Sequence, residues 1–508
     1  MVFEPEELAN GAAPIVAQDG GVDSWQPLFR HSCSFPPSIF DDVMINLIKN
    51  PNINSSWLFR ADIISDDDGS SQGAGAVWPL PSFSDFQLRR RMVRTLIPRN
   101  ALRDKPLDQS CLIYDRSSPA DEDCHDDDGI KKTLVVYFPH VISKAEMPFY
   151  HPEVRGIAFL YEWAVADSTG SVSISYSFFD EGDRSVVKLA RTAYQLLKVI
   201  IKHGEGRASG YQKRVQHDVL VPQARVQNTY ATLKQKYARR LIETWAEVTD
   251  PEKHVFEDLS IAAFLIELWA DMYSQSSFPG FVDIGCGNGL LVYILTQEGF
   301  SGWGFDARRR KSWARYTTMQ SQSSISTSEK CTLEQLVLLP PPVSKARLPD
   351  IAGDDFSEDI VHDGRFPEGT FIISNHADEL TPWTPVLATI SNCPFMMIPC
   401  CSHDFTGSKF RAPPPKDKTK AESSYGSLVQ WVAEIARDCG WEVEQEMLRI
   451  PSTRNTALIG RRRTADDTLS TPDIEAIVHR YGGTAGYLEN VVKLAKTSTS
   501  SASLSAGR

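Results

Sequence analysis

The sequence predicts two kinds of fold in one chain: an α/β sheet with helices on both faces, preceded by a β-rich α+β domain. Three observations carry this. Residues 1–180 alternate short apolar runs with turn-rich stretches, and Thr133–Phe138 and Ser171–Phe178 read as half-buried strands. Past residue 280, strand-like and helix-like segments alternate to about residue 462, the pattern of strands joined by crossover helices. A length of 508 residues, 42% of them hydrophobic, implies two or three domains rather than one.

In order along the chain, residues 1–180 form the β-rich domain. Its acidic stretches Ser65–Gly69 and Asp121–Gly129 lack the alternating ligands of a calcium loop and read as solvated loops. Residues 181–250 read as a basic helical connector: from Arg184 to Arg240 there are 13 Lys or Arg against two acids, with four tyrosines interleaved. In a chain of net charge −12 this local excess suits a polyanion as well as it suits a solvated helix face. Residues 251–463 hold the α/β domain, opened by the cap Thr249-Asp250-Pro251 and an apolar helix through Trp269. Residues 464–508 complete the chain as a C-terminal helix and a Ser/Thr-rich tail expected to be disordered from Lys496.

The chemistry begins at Phe281-Val-Asp-Ile284, a short buried strand. Gly285-Cys286-Gly287-Asn288-Gly289 turns it into the helix Leu290–Leu295. Glycines at 285, 287 and 289 permit positive φ and bring a ligand close to main-chain amides, while Asp283 ends the strand where a carboxylate can meet a cation. The turn is not a phosphate reader, since Leu290 stands where a GxGxxG motif needs glycine and no GKS or GKT follows. Gly302-Trp-Gly-Phe-Asp306 supplies a second strand whose acid, 17 residues after Gly289, is placed to hold a ribose diol.

In such a sheet ligands lie beyond the carboxyl ends of the strands. Thr370–Ser374 delivers Asn375, His376, Ala377, Asp378 and Glu379 there; Cys393–Pro399 delivers Cys400, Cys401, Ser402 and His403, with Lys409 and Arg411 further out. Asn375 joins the cofactor-binding candidates. Asp378 or His376 is the candidate proton acceptor from a hydroxyl nucleophile, and Lys409 and Arg454 are candidates to stabilise an oxyanion or to meet phosphate. No metal is expected, because adjacent cysteines on a strand end point to opposite faces.

The segments 281–295, 302–313, 375–383, 400–405 and 448–455 together resemble the fungal and animal tRNA (uracil-O(2)-)-methyltransferases, a branch of the class I S-adenosylmethionine-dependent methyltransferases with a Rossmann-like sheet. The resemblance runs from about Gln216 to Arg463. It implies S-adenosylmethionine as cofactor, held by Asp283, Gly285, Gly287 and Asp306 with Asn288 and Gly289 in the same turn. It also implies a cytoplasmic enzyme methylating a uridine 2'-hydroxyl of tRNA, specifically uridine 44 of tRNA-Ser. The Lys-Asp-Lys-Glu tetrad of many ribose methyltransferases is matched only by Asp378 and Lys409. Two readings stay open beside it: a methyltransferase for a protein or small molecule, and a non-catalytic RNA-binding assembly factor.

Composition bears on partners and compartment. The net charge of −12 argues against coating nucleic acid by bulk charge, and neither DNA nor a membrane is expected as partner. The first residues show no secretory signal, and the longest apolar run, Ile261–Ile266, stops at Glu267. Nine cysteines without a CxxC pair fit reduced thiols in cytosol or nucleus.

Overall fold

The computed structural model describes the chain except residues 1–2, 15, 20–23, 69–80, 84, 101–102, 117–128, 212–216, 322–331, 344–357, 415–422, 465–470 and 495–508. It divides into two units, Met1–Lys213 and Arg214–Arg508.

The first unit is an antiparallel sheet of eight strands: β1 (Glu6–Glu7), β2 (Trp25–Cys33), β3 (Leu58–Asp67), β4 (Phe86–Pro98), β5 (Leu107–Arg116), β6 (Ile130–Pro139), β7 (Val154–Ala164) and β8 (Thr169–Phe178). Their order is β1-β2-β8-β7-β6-β5-β4-β3. Period-two alternation feeds two cores. On β7, Ile157, Phe159 and Tyr161 face one core, which also receives α1 (Pro37–Lys49) and α2 (Val187–Ala208). Ala158 and Leu160 face the other, with Trp25, Leu112 and Leu134.

The connector expected at 181–250 is not a separate element. Its first half is α2, which sends Leu189, Ala193, Leu197, Ile200 and Ile201 into the core of the first unit. A Cβ on Gly204 would lie 2.3 Å from the Phe35 ring, so helix and chain meet there at the closest possible distance. Its second half, α3 (Gln223–Glu243), buries Leu233, Tyr237 and Leu241 in the second unit. Each helix carries an apolar stripe as well as its charges, and the stripe has to be covered. Many of the charges are also committed. Arg184 donates to the carbonyls of Pro27 and Leu8, Arg225 pairs with Glu267 and Asp271, and Lys236 pairs with Glu298.

Of the acidic stretches, Ser65–Asp67 continues β3, and Asp66 pairs with Arg90 at 2.7 Å. Residues 121–128 lie outside the described residues.

The second unit is a seven-stranded sheet in the order β11-β10-β9-β14-β15-β17-β16. It comprises β9 (Phe281–Ile284), β10 (Gly302–Asp306), β11 (Thr332–Gln335), β14 (Phe371–Asn375), β15 (Phe395–Ile398), β16 (Trp441–Met447) and β17 (Thr456–Arg463); β12 (Val337–Leu338) and β13 (Val361–His362) pair separately. The five strands from β11 to β15 are parallel, and β17 and β16 close the edge antiparallel. The helices are α4 (Pro251–Met272), α5 (Leu290–Gln297), α6 (Lys311–Ser321), α7 (Thr384–Ile390), α8 (Ser424–Asp438) and α9 (Thr471–Arg480). They cover both faces as expected. Phe281, Phe371, Ile373 and Ile398 pack with α3, α4 and α5, while Val282, Ile284, Ile372 and Met397 pack with α7, α8 and α9. Asp250 caps α4 by accepting from the amide of Glu252.

The segment after 463 is part of this unit. Ile474, Ile477, Tyr487, Leu488 and Val491 enter its core, because α9 and the helical segment 487–494 that follows it carry apolar residues that pack with α8. The tail from Lys496 lies outside the described residues. Among the described residues, no helix is long and apolar enough to cross a membrane.

Candidate active site

The parallel strands β9, β10 and β14 end at one rim of the second unit, around a cavity of about 700 Å³. Their first contribution is the glycine turn. The amides of Gly285 and Cys286 both donate to the carbonyl of Phe305, at 2.8 and 2.9 Å, which ties the turn to β10. Gly285, Gly287 and Gly289 all have positive φ, between 53° and 75°. A Cβ on Gly287 would meet nothing within 4 Å, so its main chain faces open space, whereas one on Gly289 would lie 2.6 Å from Leu333. Gly289 therefore shapes the turn without lining the cavity, and Asn288 Oδ1 accepts from the amide of Leu290, the first residue of α5, at 2.8 Å.

Two acids flank this turn. Asp306, at the end of β10, accepts from the amide of Gly287 at 3.1 Å and of Arg308 at 2.9 Å, and Arg310 stands 4.0 Å away. Asp283 is 1% exposed, and its Oδ1 has no hydrogen-bond partner among the described residues. Burial, then the nearby charges of Asp258 and Asp306, holds its carboxyl well above the ordinary carboxylate range.

The second contribution comes from the end of β14 and from α4. His376 and Asp378 both take positive φ, 53° and 42°, conformations that cost a non-glycine residue about 1 kcal/mol or more. His376 Nε2 lies 3.1 Å from Glu257 Oε1, and Asn375 Nδ2 donates to Asp258 Oδ1 at 3.3 Å. Burial pushes the Asp258 carboxyl up to about 8, helped by the charge of Glu257 and opposed by the bond from Asn375. Asp378 Oδ1 accepts from the Cys400 thiol at 2.9 Å. Arg454 lines the cavity with its guanidinium 4.6 Å from the centre of the Tyr425 ring.

Three expectations are corrected. Lys409 is not among the residues lining the cavity; it forms an antiparallel bridge with His403 on the loop beyond β15. Cys400 and Cys401 do not point apart. The strand ends at Ile398, so strand alternation no longer applies, and both thiols lie with the Asp378 carboxylate within 4.8 Å of one another. Burial, and then Asp378, raises both thiols above their ordinary range. The run Arg461–Arg463, whose three adjacent charges would suit a backbone of phosphates, is instead spent within the sheet edge: Arg461 on Glu444, Arg462 on Glu442, and Arg463 over the Trp441 ring.

What the sequence reading missed is α4. Lys253, His254, Glu257 and Asp258 all line the cavity, and the last two brace His376 and Asn375. The signal was present: two adjacent acids inside an otherwise apolar helical run.

Two family models match the chain: "TRM44-like, N-terminal bet v1-like domain" over residues 6–214 and "Predicted AdoMet-dependent methyltransferase" over 220–331. They meet where the two units divide. A curated relative from Neurospora crassa, a tRNA (uracil-O(2)-)-methyltransferase, is 62% identical over 97% of this chain and 98% of its own length. The chain belongs to the tRNA (uracil-O(2)-)-methyltransferase family. The family member from Schizosaccharomyces pombe is 39% identical over 98% of both chains.

The residues fit the S-adenosylmethionine of this family. The buried Asp283 carboxyl keeps one oxygen without a partner among the described residues and so has a polar atom to offer a ligand, the exposed main chain at Gly287 admits close approach, and Asp306 stands at the end of the neighbouring strand. Asp283, Gly285, Gly287, Asn288, Asp306 and Asn375 all line the one cavity.

Proposed function

We propose that the chain is a tRNA ribose methyltransferase that methylates a uridine 2'-hydroxyl, at uridine 44 of tRNA-Ser, in the cytoplasm. The observation that carries the reading is the His376–Glu257 pair, set in the same cavity as the Asp283–glycine–Asp306 rim. S-adenosylmethionine, when bound, supplies an electrophilic methyl group. In the proposed arrangement Asp306 holds hydroxyls, Asp283 balances positive charge, and Asn375 is oriented by Asp258. With Glu257 accepting at Nε2, His376 presents Nδ1 to accept the proton of the ribose hydroxyl. Asp378 is the weaker candidate for that proton, because one of its oxygens already accepts from Cys400. Arg454, held on Tyr425, is proposed to stabilise the developing oxyanion.

The test incubates the purified chain with radiolabelled S-adenosylmethionine and total tRNA from a strain lacking the gene, then digests the tRNA to nucleosides. Label in 2'-O-methyluridine, absent with Asp306→Ala and mapped to position 44 of tRNA-Ser, is the expected result. Label in another nucleoside, or in none, overturns the reading.

A further inference from the structure

The first unit carries an exposed aromatic and cationic patch that none of the chemistry above uses. Trp57, just before the edge strand β3, is 46% exposed, and Phe149 is 53% exposed. Their rings meet edge to face, 5.4 Å apart at 86°. The Arg103 guanidinium lies 5.8 Å from the Trp57 ring centre and 6.0 Å from that of Phe149, and Lys188 Nζ lies 4.7 Å over Phe149. Arg99 is fixed alongside: its amide donates to the Trp57 carbonyl at 2.9 Å, and its guanidinium stands 5.9 Å from Phe59.

Cation–aromatic contacts of this kind occur about once per 70–80 residues, so several on one small surface mark it out. Among the described residues none of Arg99, Arg103 or Lys188 forms an ion pair, in contrast with the arginines of α3 and β17. Large rings left half in water beside uncompensated positive charge are suited to a ligand that offers both flat apolar faces and anionic groups.

We propose that this patch binds unpaired nucleotides of the RNA substrate, their bases on Trp57 and Phe149 and their phosphates on Arg99, Arg103 and Lys188. The choice of RNA as ligand rests on the proposed function. A duplex hides its base faces, so loops or single-stranded joints are the part of the RNA that fits.

The experiment measures binding of a radiolabelled uridine octamer and of tRNA to the full chain across a salt series, with Trp57→Ala/Phe149→Ala and Arg103→Ala as variants. The double variant is expected to bind the octamer about tenfold more weakly or worse. Arg103→Ala is expected to flatten the log–log salt slope by about 0.7. The double variant should raise KM for tRNA and leave kcat at saturation unchanged. Should the double variant melt early, Arg103→Ala and Lys188→Ala carry the test through the salt slope. Unchanged octamer affinity in the variants overturns the proposal, as does competition by polyglutamate equal to that by the octamer, which points to an acidic protein ligand. Methylation by the wild type with unaltered variants removes the patch and spares the enzyme. Trp57-dependent octamer binding without any RNA methylation does the reverse.

Discussion

At the scale of single residues, the site is governed by carboxyl groups held away from water. Asp258 has a folded pKa of about 8 against an ordinary value of 3.8, so the folded state keeps a proton that the unfolded chain loses. Stability from this group is therefore greatest at low pH and falls as pH rises from about 4 to about 8. Asp258→Asn should remove that loss: melting temperatures equal to wild type near pH 4 and higher by about 3 °C or more at pH 8, read by scanning calorimetry. Glu257→Gln tests a different link. Without the carboxylate the His376 ring loses its orienting acceptor, and kcat should fall about 10- to 100-fold with little change in cofactor KM, as steady-state assays will report. The sequence displayed the cavity residues at the strand ends because a glycine turn and an acid after a strand are local patterns. It concealed Glu257 and Asp258 because what matters about them is which distant side chain they touch, His376 and Asn375, over a separation of more than a hundred residues.

At the scale of elements, α2 shows how charge counting misleads. Its basic residues suggested a solvated connector, yet five apolar residues at helical spacing and Gly204 against Phe35 seat it in the first unit. Gly204→Leu should therefore force α2 off the sheet, costing about 1–3 kcal/mol or more, with hydrogen exchange protection lost in α1, α2 and β2 and kept in α4 and α5. The strands of the glycine turn and the cap of α4 were legible, since each depends on residues adjacent in the chain. Lys409 was not, because a loop beyond a strand has no period from which its direction can be read.

At the scale of the whole molecule, a chain of net charge −12 meets a polyanion through sorted charge rather than through total charge. Counting arginines along the sequence overstates what is free, because Arg461 and Arg462 are neutralised by Glu444 and Glu442. Arg461→Ala and Arg462→Ala should each leave the salt slope of tRNA binding unchanged in filter-binding titrations, where a phosphate contact would remove about 0.9.

The cavity wall draws on Tyr487 and Asn490, which bond to the carbonyls of Leu338 and Thr406 at 3.0 and 2.7 Å. During synthesis on the ribosome the first unit has its full complement of strands and α2 by residue 213, long before those two side chains emerge. A chain stopped after the first unit thus holds every residue of the aromatic surface and none of those that line the cavity.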